Sequence, residues 1–494
     1  MRNLSAWCLL VLYCLALGQS FADEESKPVE IPADIWPDDE QPLLKIHPNF
    51  NHPSQIKYRL TLADDWPSHT PLAYAFAQGD RAMARVLLKR GADPNQIVTR
   101  PKVTPVSPIQ AAIARNDPES IRFLLKVGAK PTVDYLSDVA VVQTAKTQTE
   151  MTRLILESGV KPNKSTVVND FASRASPEAF ALLFKHGAQV NNKVGSFQLA
   201  PTLCIAIAST EKVRIALKHG ADPNQGTHIY NETPLHFCAQ RGSAATIELL
   251  VTNGADVNVK NRTGETPIER ALIQGSFRPF YKPGEVEMIR AFLRHGAKTS
   301  IAAEVATGNV KALRARKQKG EAIQGLPKLD IKSAWYGLNE ARRDLIATAV
   351  SFRQPEALAW LLENGVKESV AASPNVKSDR LDSPALVVAA FQSDAKSVEI
   401  LLKHGADPNV RSPRAVYVAA AYRPLHSVIA GAAGTTFLQV AKNREVKLDQ
   451  PQRKIISLLL QYGADPDLKN GYGQAARDFA KVALPNERLF QDKN

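Results

Sequence analysis

A nine-residue phrase returns along this chain and limits what the chain can fold into. It reads LLKRGADPN at Leu87–Asn95, ALKHGADPN at Ala216–Asn224, LLKHGADPN at Leu401–Asn409 and LLQYGADPD at Leu459–Asp467. Looser copies fall at Leu124–Pro131, Ile155–Asn163, Leu182–Asn191, Leu249–Asn258, Phe292–Ser300 and Leu361–Ser369. The glycines of these copies are Gly91, Gly128, Gly159, Gly187, Gly220, Gly254, Gly296, Gly365, Gly405 and Gly463, at steps of 37, 31, 28, 33, 34, 42, 69, 40 and 58 residues. A fixed period of this size describes stacked units in which each buries its apolar face only against its neighbours. It also accounts for the length, because a chain of 494 residues is large for one closed core. The step of 69 spans two units, with a degenerate copy at Lys317–Gly320, and the steps of 42 and 58 are one unit plus an insertion.

Each phrase ends a helix. Apolar residues at helical spacing precede it, as with Ile247, Leu250 and Val251. Lys218-His219 and Lys403-His404 place cations in the last turn, where they complement the negative end of the helix dipole. The glycine follows because the chain turns into a left-handed conformation there, and Asp-Pro-Asn then stops the helix and opens a turn. An earlier helix in the unit opens with proline in its first turn, in TPLAYAFAQGD at Thr70–Asp80, TPLHFCAQRG at Thr233–Gly242 and RPLHSVIAG at Arg423–Gly431. Small residues follow, including Ala73, Ala75, Ala77, Cys238 and Ala239, so neighbouring helices can approach closely. The order is turn, short helix, tight turn, longer helix, glycine turn.

This grammar resembles the ankyrin repeat, in which T-P-L-H-x-A opens the first helix and G-A-D-x-N follows the second. Thr233-Pro234-Leu235-His236 through Asn258 is the closest copy, and Gly264-Glu265-Thr266-Pro267 begins the next. The resemblance covers roughly residues 64–485, and units near 131–160, 164–190 and 300–320 lack the TPLH opening. It implies an all-α, elongated and curved solenoid of about ten to eleven units. Residues 471–485 read as a C-terminal cap.

The N-terminus has a different composition. Arg2, the apolar run Leu9–Leu17 and Ser20-Phe21-Ala22 have the form of a secretory signal peptide over residues 1–22. The run is too short to span a bilayer, and no other segment reads as transmembrane. Export follows as an expectation, to the periplasm or, alternatively, to the extracellular space. Residues 23–65 carry ten acidic and four basic side chains, a net of −6, and their proline content does not read as a helix. With this leader and Arg2 set aside, the total of +13 becomes +18 for residues 66–494. So basic an array attracts acidic protein surfaces or anionic headgroups, and the leader is able to screen it. Of four cysteines, Cys8 and Cys14 fall in the signal. Cys204 and Cys238 fall in first helices of adjacent units, and a helix spacing of about 10 Å, against the about 7 Å between Cα atoms that a disulfide needs, favours two buried small apolar residues over a bridge.

No catalytic spacing occurs. HExxH, GxSxG and the phosphate-cradling GxxxxGK[ST] are absent, and Gly431–Thr436 is glycine-rich without the lysine. Asp93, Asp222, Asp256, Asp407 and Asp465 recur with the period, which fits turn capping better than a unique catalytic role. His236 and His426 have no further ligands nearby for a metal. In the family resembled, this histidine hydrogen-bonds within and between units. No cofactor or metal is expected. Lys311–Gly320 holds five cations in ten residues, read as a solvated helix face or an anion-attracting one. It lacks the interleaved aromatics of a nucleic-acid binder, so no nucleic acid is expected.

By resemblance, partners meet the turn tips and the exposed side of the first helices. The tips include Arg100, Lys102, Lys193, His228, Tyr230, Lys260, Arg262, Arg411 and Arg414, and the adjoining helix positions include Gln240 and Arg241. Insertions near 276–285, with Phe277, Phe280 and Tyr281, and 431–450, and an irregular stretch at 321–343, break the period. The expectation is a non-enzymatic exported scaffold that binds other proteins. The alternatives are a binder of anionic envelope ligands, such as polysaccharide or lipid headgroups, or a secreted host-directed effector.

Overall fold

The computed structural model describes residues 70–89, 91–97, 106–191, 203, 207–275, 284–323, 344–366, 384–412, 422–432, 447–471, 473–484 and 489–490. The signal, the leader, most of the insertion near 276–285, most of residues 321–343 and 433–446 of the later insertion lie outside them. Among the described residues there are helices and turns but no strand; the one isolated bridge with both partners described joins Lys469 to Ala475.

The helices form two compact units. The first comprises described residues up to 206 together with 211–222. Its helices are α1 (Pro71–Gln78), α2 (Arg81–Lys89), α3 (Pro108–Ala114), α4 (Pro118–Lys126), α5 (Asp134–Ala140), α6 (Ala145–Glu157), α7 (Ser165–Arg174), α8 (Pro177–Lys185) and nearly all of α9 (Thr210–Lys218). The second takes in α10 (Pro234–Arg241), α11 (Ala244–Thr252), α12 (Pro267–Gly275), α13 (Glu285–Arg294), α14 (Ile301–Ala306), α15 (Val310–Gln318), α16 (Leu345–Ser351) and α17 (Pro355–Glu363). It continues with α18 (Ala385–Phe391), α19 (Ala395–Lys403), α20 (Pro424–Ala432), α21 (Gln450–Gln461) and α22 (Ala476–Ala483).

Within each unit, helices alternate between two layers. First helices pack on first helices (α1 on α3, α3 on α5, α5 on α7; α10 on α12, α18 on α20, α20 on α22). Second helices pack on second helices (α4 on α6, α6 on α8; α11 on α13, α15 on α17, α17 on α19). The first layer packs closely because its inner positions are small. Ala73, Ala112, Ala303, Ala349 and Ala390 are fully buried. At Gly431 the approach is closest of all, since a Cβ there would sit 2.0 Å from the Phe391 carbonyl oxygen.

The glycine turn repeats with little variation. All ten glycines named above, and Gly320 of the degenerate copy, have φ between +73° and +98°. At Gly254 the turn closes the end of α11. The Ala255 N–H bonds Leu250 O at 3.0 Å and the Gly254 N–H bonds Val251 O at 3.0 Å, which satisfies carbonyls the helix leaves open. Several first helices begin on side-chain caps. Thr70 Oγ1 accepts from the Ala73 N–H at 3.2 Å, and Ser107 forms a reciprocal box with Gln110. In several pairs the turn between the two helices is also left-handed. Gly79 and Gly308 hold it at φ +73° and +70°, whereas Asn116, Arg353 and Ser393 hold it at +58°, +52° and +59° without being glycine.

Candidate functional site

Several tips are built on the Asp-x-Asn, or Asp-x-Asp, that follows a glycine turn. Asp256 Oδ1 accepts from the Asn258 N–H at 2.9 Å, and the pairs Asp93–Asn95, Asp407–Asn409 and Asp465–Asp467 repeat this at 2.8 Å. The recurring aspartates therefore fold their own turns. The asparagine has a second task that the sequence did not reveal. Asn258 Nδ2 donates to Gly296 O at 2.9 Å and its Oδ1 accepts from the Lys298 N–H at 2.9 Å, so its amide closes on the next glycine turn. Asn95 does the same to Gly128 and Lys130, Asn191 to Gly220 and Asp222, Asn224 to Gly254 and Asp256, and Asn409 to Gly463 and Asp465. The signal was present, because asparagine recurs four residues after the glycine, but recurrence does not name the partner.

One pair of neighbouring tips is anchored at several points. The Thr227 N–H bonds Glu232 O at 3.0 Å, the Asn231 N–H bonds Thr227 O at 2.9 Å, and Asn231 takes φ +51° to close the loop. In the next tip Asn261 Oδ1 accepts from the Thr263 N–H, the Thr263 hydroxyl and the Glu265 N–H at 3.0, 2.7 and 2.9 Å. Arg262 joins the two. Its N–H donates to Tyr230 O at 2.8 Å and its Nη1 to Ile229 O at 2.9 Å. Four sequence candidates, His228, Tyr230, Lys260 and Arg262, are thereby gathered on adjacent tips around Ile229, an apolar side chain 42% exposed. His228, Lys260 and Arg262 are exposed and Tyr230 is half-buried.

Beneath these tips lies a buried charged group that the sequence reading missed. Arg270, on α12, pairs with Glu232 at the foot of one tip, and its Nε lies 3.0 Å from Glu265 Oε2 at the foot of the next, without hydrogen-bond alignment. The three side chains are only 4%, 6% and 1% exposed. Two carboxylates thus share one guanidinium. Burial raises the Glu232 carboxyl above its usual range, Arg270 opposes that shift, and the neighbouring Glu265 adds to it. His236 completes the base. Its Nδ1 accepts from the Thr233 N–H at 3.1 Å, and its Nε2–H donates to Glu265 O at 3.0 Å. Burial depresses its pKa to about 4, so it is neutral at pH 7. His426, bonded to Gln474 O at 2.9 Å, is depressed to about 4 for the same reason. Among the described residues no group of three or more His, Cys, Asp or Glu side chains could hold a metal ion.

The other candidates stay apart from this cluster or out of view. Arg411 is exposed on the tip after α19; burial disfavours the charged form of Arg423, and nearby Arg411 adds to that. Gln240 and Arg241 end α10, but their side chains lie outside the described residues, as do Arg100, Lys102, Lys193 and Arg414. Cys238 is buried and free, while Cys204 falls outside the described residues. No described helix is long and apolar enough to cross a membrane.

A family model of three successive ankyrin repeats matches residues 202–303, and a single-repeat model matches 68–98 and 383–413. These are ankyrin repeats. Among relatives, the mouse ankyrin repeat and SOCS box protein 16 is 29% identical over 246 residues, covering 46% of this chain and 52% of that protein. The zebrafish (Danio rerio) ankyrin repeat and SOCS box protein 11 is 32% identical over 102 residues, 21% of this chain and 34% of that one. The chain spans about half or less of the length of the curated relatives it matches. A crystal structure of the human ASB11 ankyrin repeat domain is 20% identical and covers 59% of this chain and 95% of its own, with a TM-score of 0.26. The fold assignment rests instead on the repeat matches and on the helix-pair geometry described above. In ankyrin terms, His236 is the histidine of the TPLH opening; in the following repeat Glu269 stands at the histidine position and Arg270 at the variable position after it.

Proposed function

We propose that this chain is a non-enzymatic scaffold that binds another protein through its ankyrin tips, with His228, Ile229, Tyr230, Lys260 and Arg262 at the centre of the contact. The observation that carries this reading is the double anchoring of those tips. They are tied to each other by Arg262 and to the framework by Asn224, Asn258 and the buried Arg270 group, yet they present an exposed isoleucine beside cations. A preordered surface loses little conformational entropy on binding. The excess of basic residues in the array favours a partner with an acidic surface.

The place of action is the cell envelope or the space outside it. The support is the form of residues 1–22, and the periplasm is the first choice. A second reading, binding of anionic headgroups or polysaccharide, draws on α15, where Lys311, Arg314 and Lys319 are exposed and Leu313 is its one buried side chain. Salt separates the two. Contacts made only by exposed charge fade as the Debye length falls to about 3 Å at 1 M, whereas a shape-complementary protein contact persists. The test is capture from envelope extracts at low and high salt, using the native chain and Lys260→Glu. A protein retained at high salt by the native chain and lost from the variant supports the proposal; equal retention by both defeats it.

A further inference from the structure

The second-helix layer of the first unit contains a cleft of about 620 Å³ between the C-terminal ends of α4 and α6 and the glycine turns that follow them. Leu125, Leu154 and Pro131 give it an apolar floor. Its charge is unbalanced. Arg122 is already engaged by Glu119 at 3.4 Å and Glu150 at 2.6 Å, but Lys126 and Lys130 are exposed at the mouth with no ion-pair partner among the described residues. Glu157 is the one carboxylate among the lining residues.

The same chain contains a segment of matching character. Residues 29–40 read VEIPADIWPDDE, in which Val29, Ile31, Ile35 and Trp36 interleave with five carboxylates, and no cation occurs between Lys27 and Lys45. These residues lie outside the described part of the chain. Thirty residues separate Glu40 from Thr70, a length that reaches about 100 Å when extended. The cleft lies between the second and third helix pairs counted from Thr70, and neighbouring helices pack about 10 Å apart, so the segment has ample reach.

We propose that residues 29–40 dock in this cleft, with their carboxylates on Lys126 and Lys130 and an apolar side chain against Leu125 and Leu154. The leader then acts as an internal ligand that covers the free basic patch of the first unit. This goes beyond the tip-binding reading and does not depend on it.

The experiment uses the full chain and a carbodiimide that joins a carboxylate to an amine in direct contact, followed by proteolysis and mass spectrometry. An equal mixture of 15N-labelled and unlabelled chains distinguishes links within one chain from links between two. The expected result is single-isotope links from Glu30, Asp34 or residues 38–40 to Lys126 or Lys130. A tethered segment has a high effective concentration at its own cleft, so these links should exceed those to exposed Lys161 and Lys185 by about fivefold or more. Links spread evenly over exposed lysines, or no links at all, overturn the proposal. Mixed-isotope links to Lys126 or Lys130 also overturn it, because they place the segment on a second copy.

Discussion

Replacing Arg270 by methionine tests whether the buried charges beneath the tips support them. The substitution keeps an apolar stem but leaves Glu232 and Glu265, 6% and 1% exposed, without their shared cation. Removing one partner of a buried ionic group costs about 3–5 kcal/mol, because the remaining charge is desolvated and unpaired. That corresponds to a local opening constant larger by a factor of roughly 10²–10⁴. The cost must depend on pH. The Glu232 carboxyl is already raised in the native chain by burial, and losing Arg270 removes the influence that lowers it. A carboxyl whose folded pKa lies above its unfolded value contributes stability that is complete below the unfolded value, about 4.3. That contribution is lost as pH rises through the folded value. The penalty of Arg270→Met is therefore larger at pH 7.5 than at pH 5. Hydrogen exchange of peptides covering 226–240 and 258–272, with urea unfolding of the whole chain, measures it. The triple change Glu232→Gln, Glu265→Gln, Arg270→Met should recover at least about half of the loss, since no buried charge remains. A penalty under about 1 kcal/mol at pH 7.5, or one equal at pH 5 and pH 7.5, refutes the reasoning.

Other expectations follow from single contacts. Asn258→Ala removes both bridges to the next glycine turn, and at a net value near 1 kcal/mol for each hydrogen bond the Lys298 amide should exchange about thirtyfold faster. An unchanged Lys298 amide shows that the bridge does not hold it. Gly431→Ala places a methyl 2.0 Å from the Phe391 carbonyl oxygen. Overpacking of this kind costs about 1–3 kcal/mol, read as a lower urea midpoint, and an unaltered midpoint shows that α18 and α20 can move apart. His236 and His426, each depressed to about 4, contribute stability above the unfolded value of 6.5 that falls away as pH drops toward 4. The loss is about 3 kcal/mol per histidine at its limit, and NMR titration of the two rings checks it, with a ring titrating near 6.5 as the contrary result.

Much of the fold could be read from the sequence because its strongest signals act locally. Gly254 or Gly405 marks a left-handed turn wherever it stands, and a proline such as Pro234 marks a helix start, so the helix pairs could be placed without knowing their partners. Structural roles for His236 and the repeating aspartates were accessible for the same reason. Contacts between units were harder. The Asn258 side chain finds Gly296 O across 38 residues, and Arg270 reaches Glu232 across the same separation. Nothing in the local pattern says that an arginine three residues into a helix will turn inward instead of snorkelling to solvent. The tip candidates were chosen by position in the repeat. Position located His228, Tyr230, Lys260 and Arg262, but it did not show that Arg262 spends its guanidinium on the neighbouring loop. Lys260 is for that reason the better charge to reverse in a binding test.

The central claim is that a protein partner docks on the tips around Ile229. Hydrogen exchange of the full chain with and without a captured partner tests it directly, because amides covered by a partner slow down wherever they lie. The account predicts slowing concentrated in residues 226–231 and 259–263, and its absence in the same experiment with Lys260→Glu. Slowing confined to other repeats, with these two tips exchanging at the free rate, contradicts it.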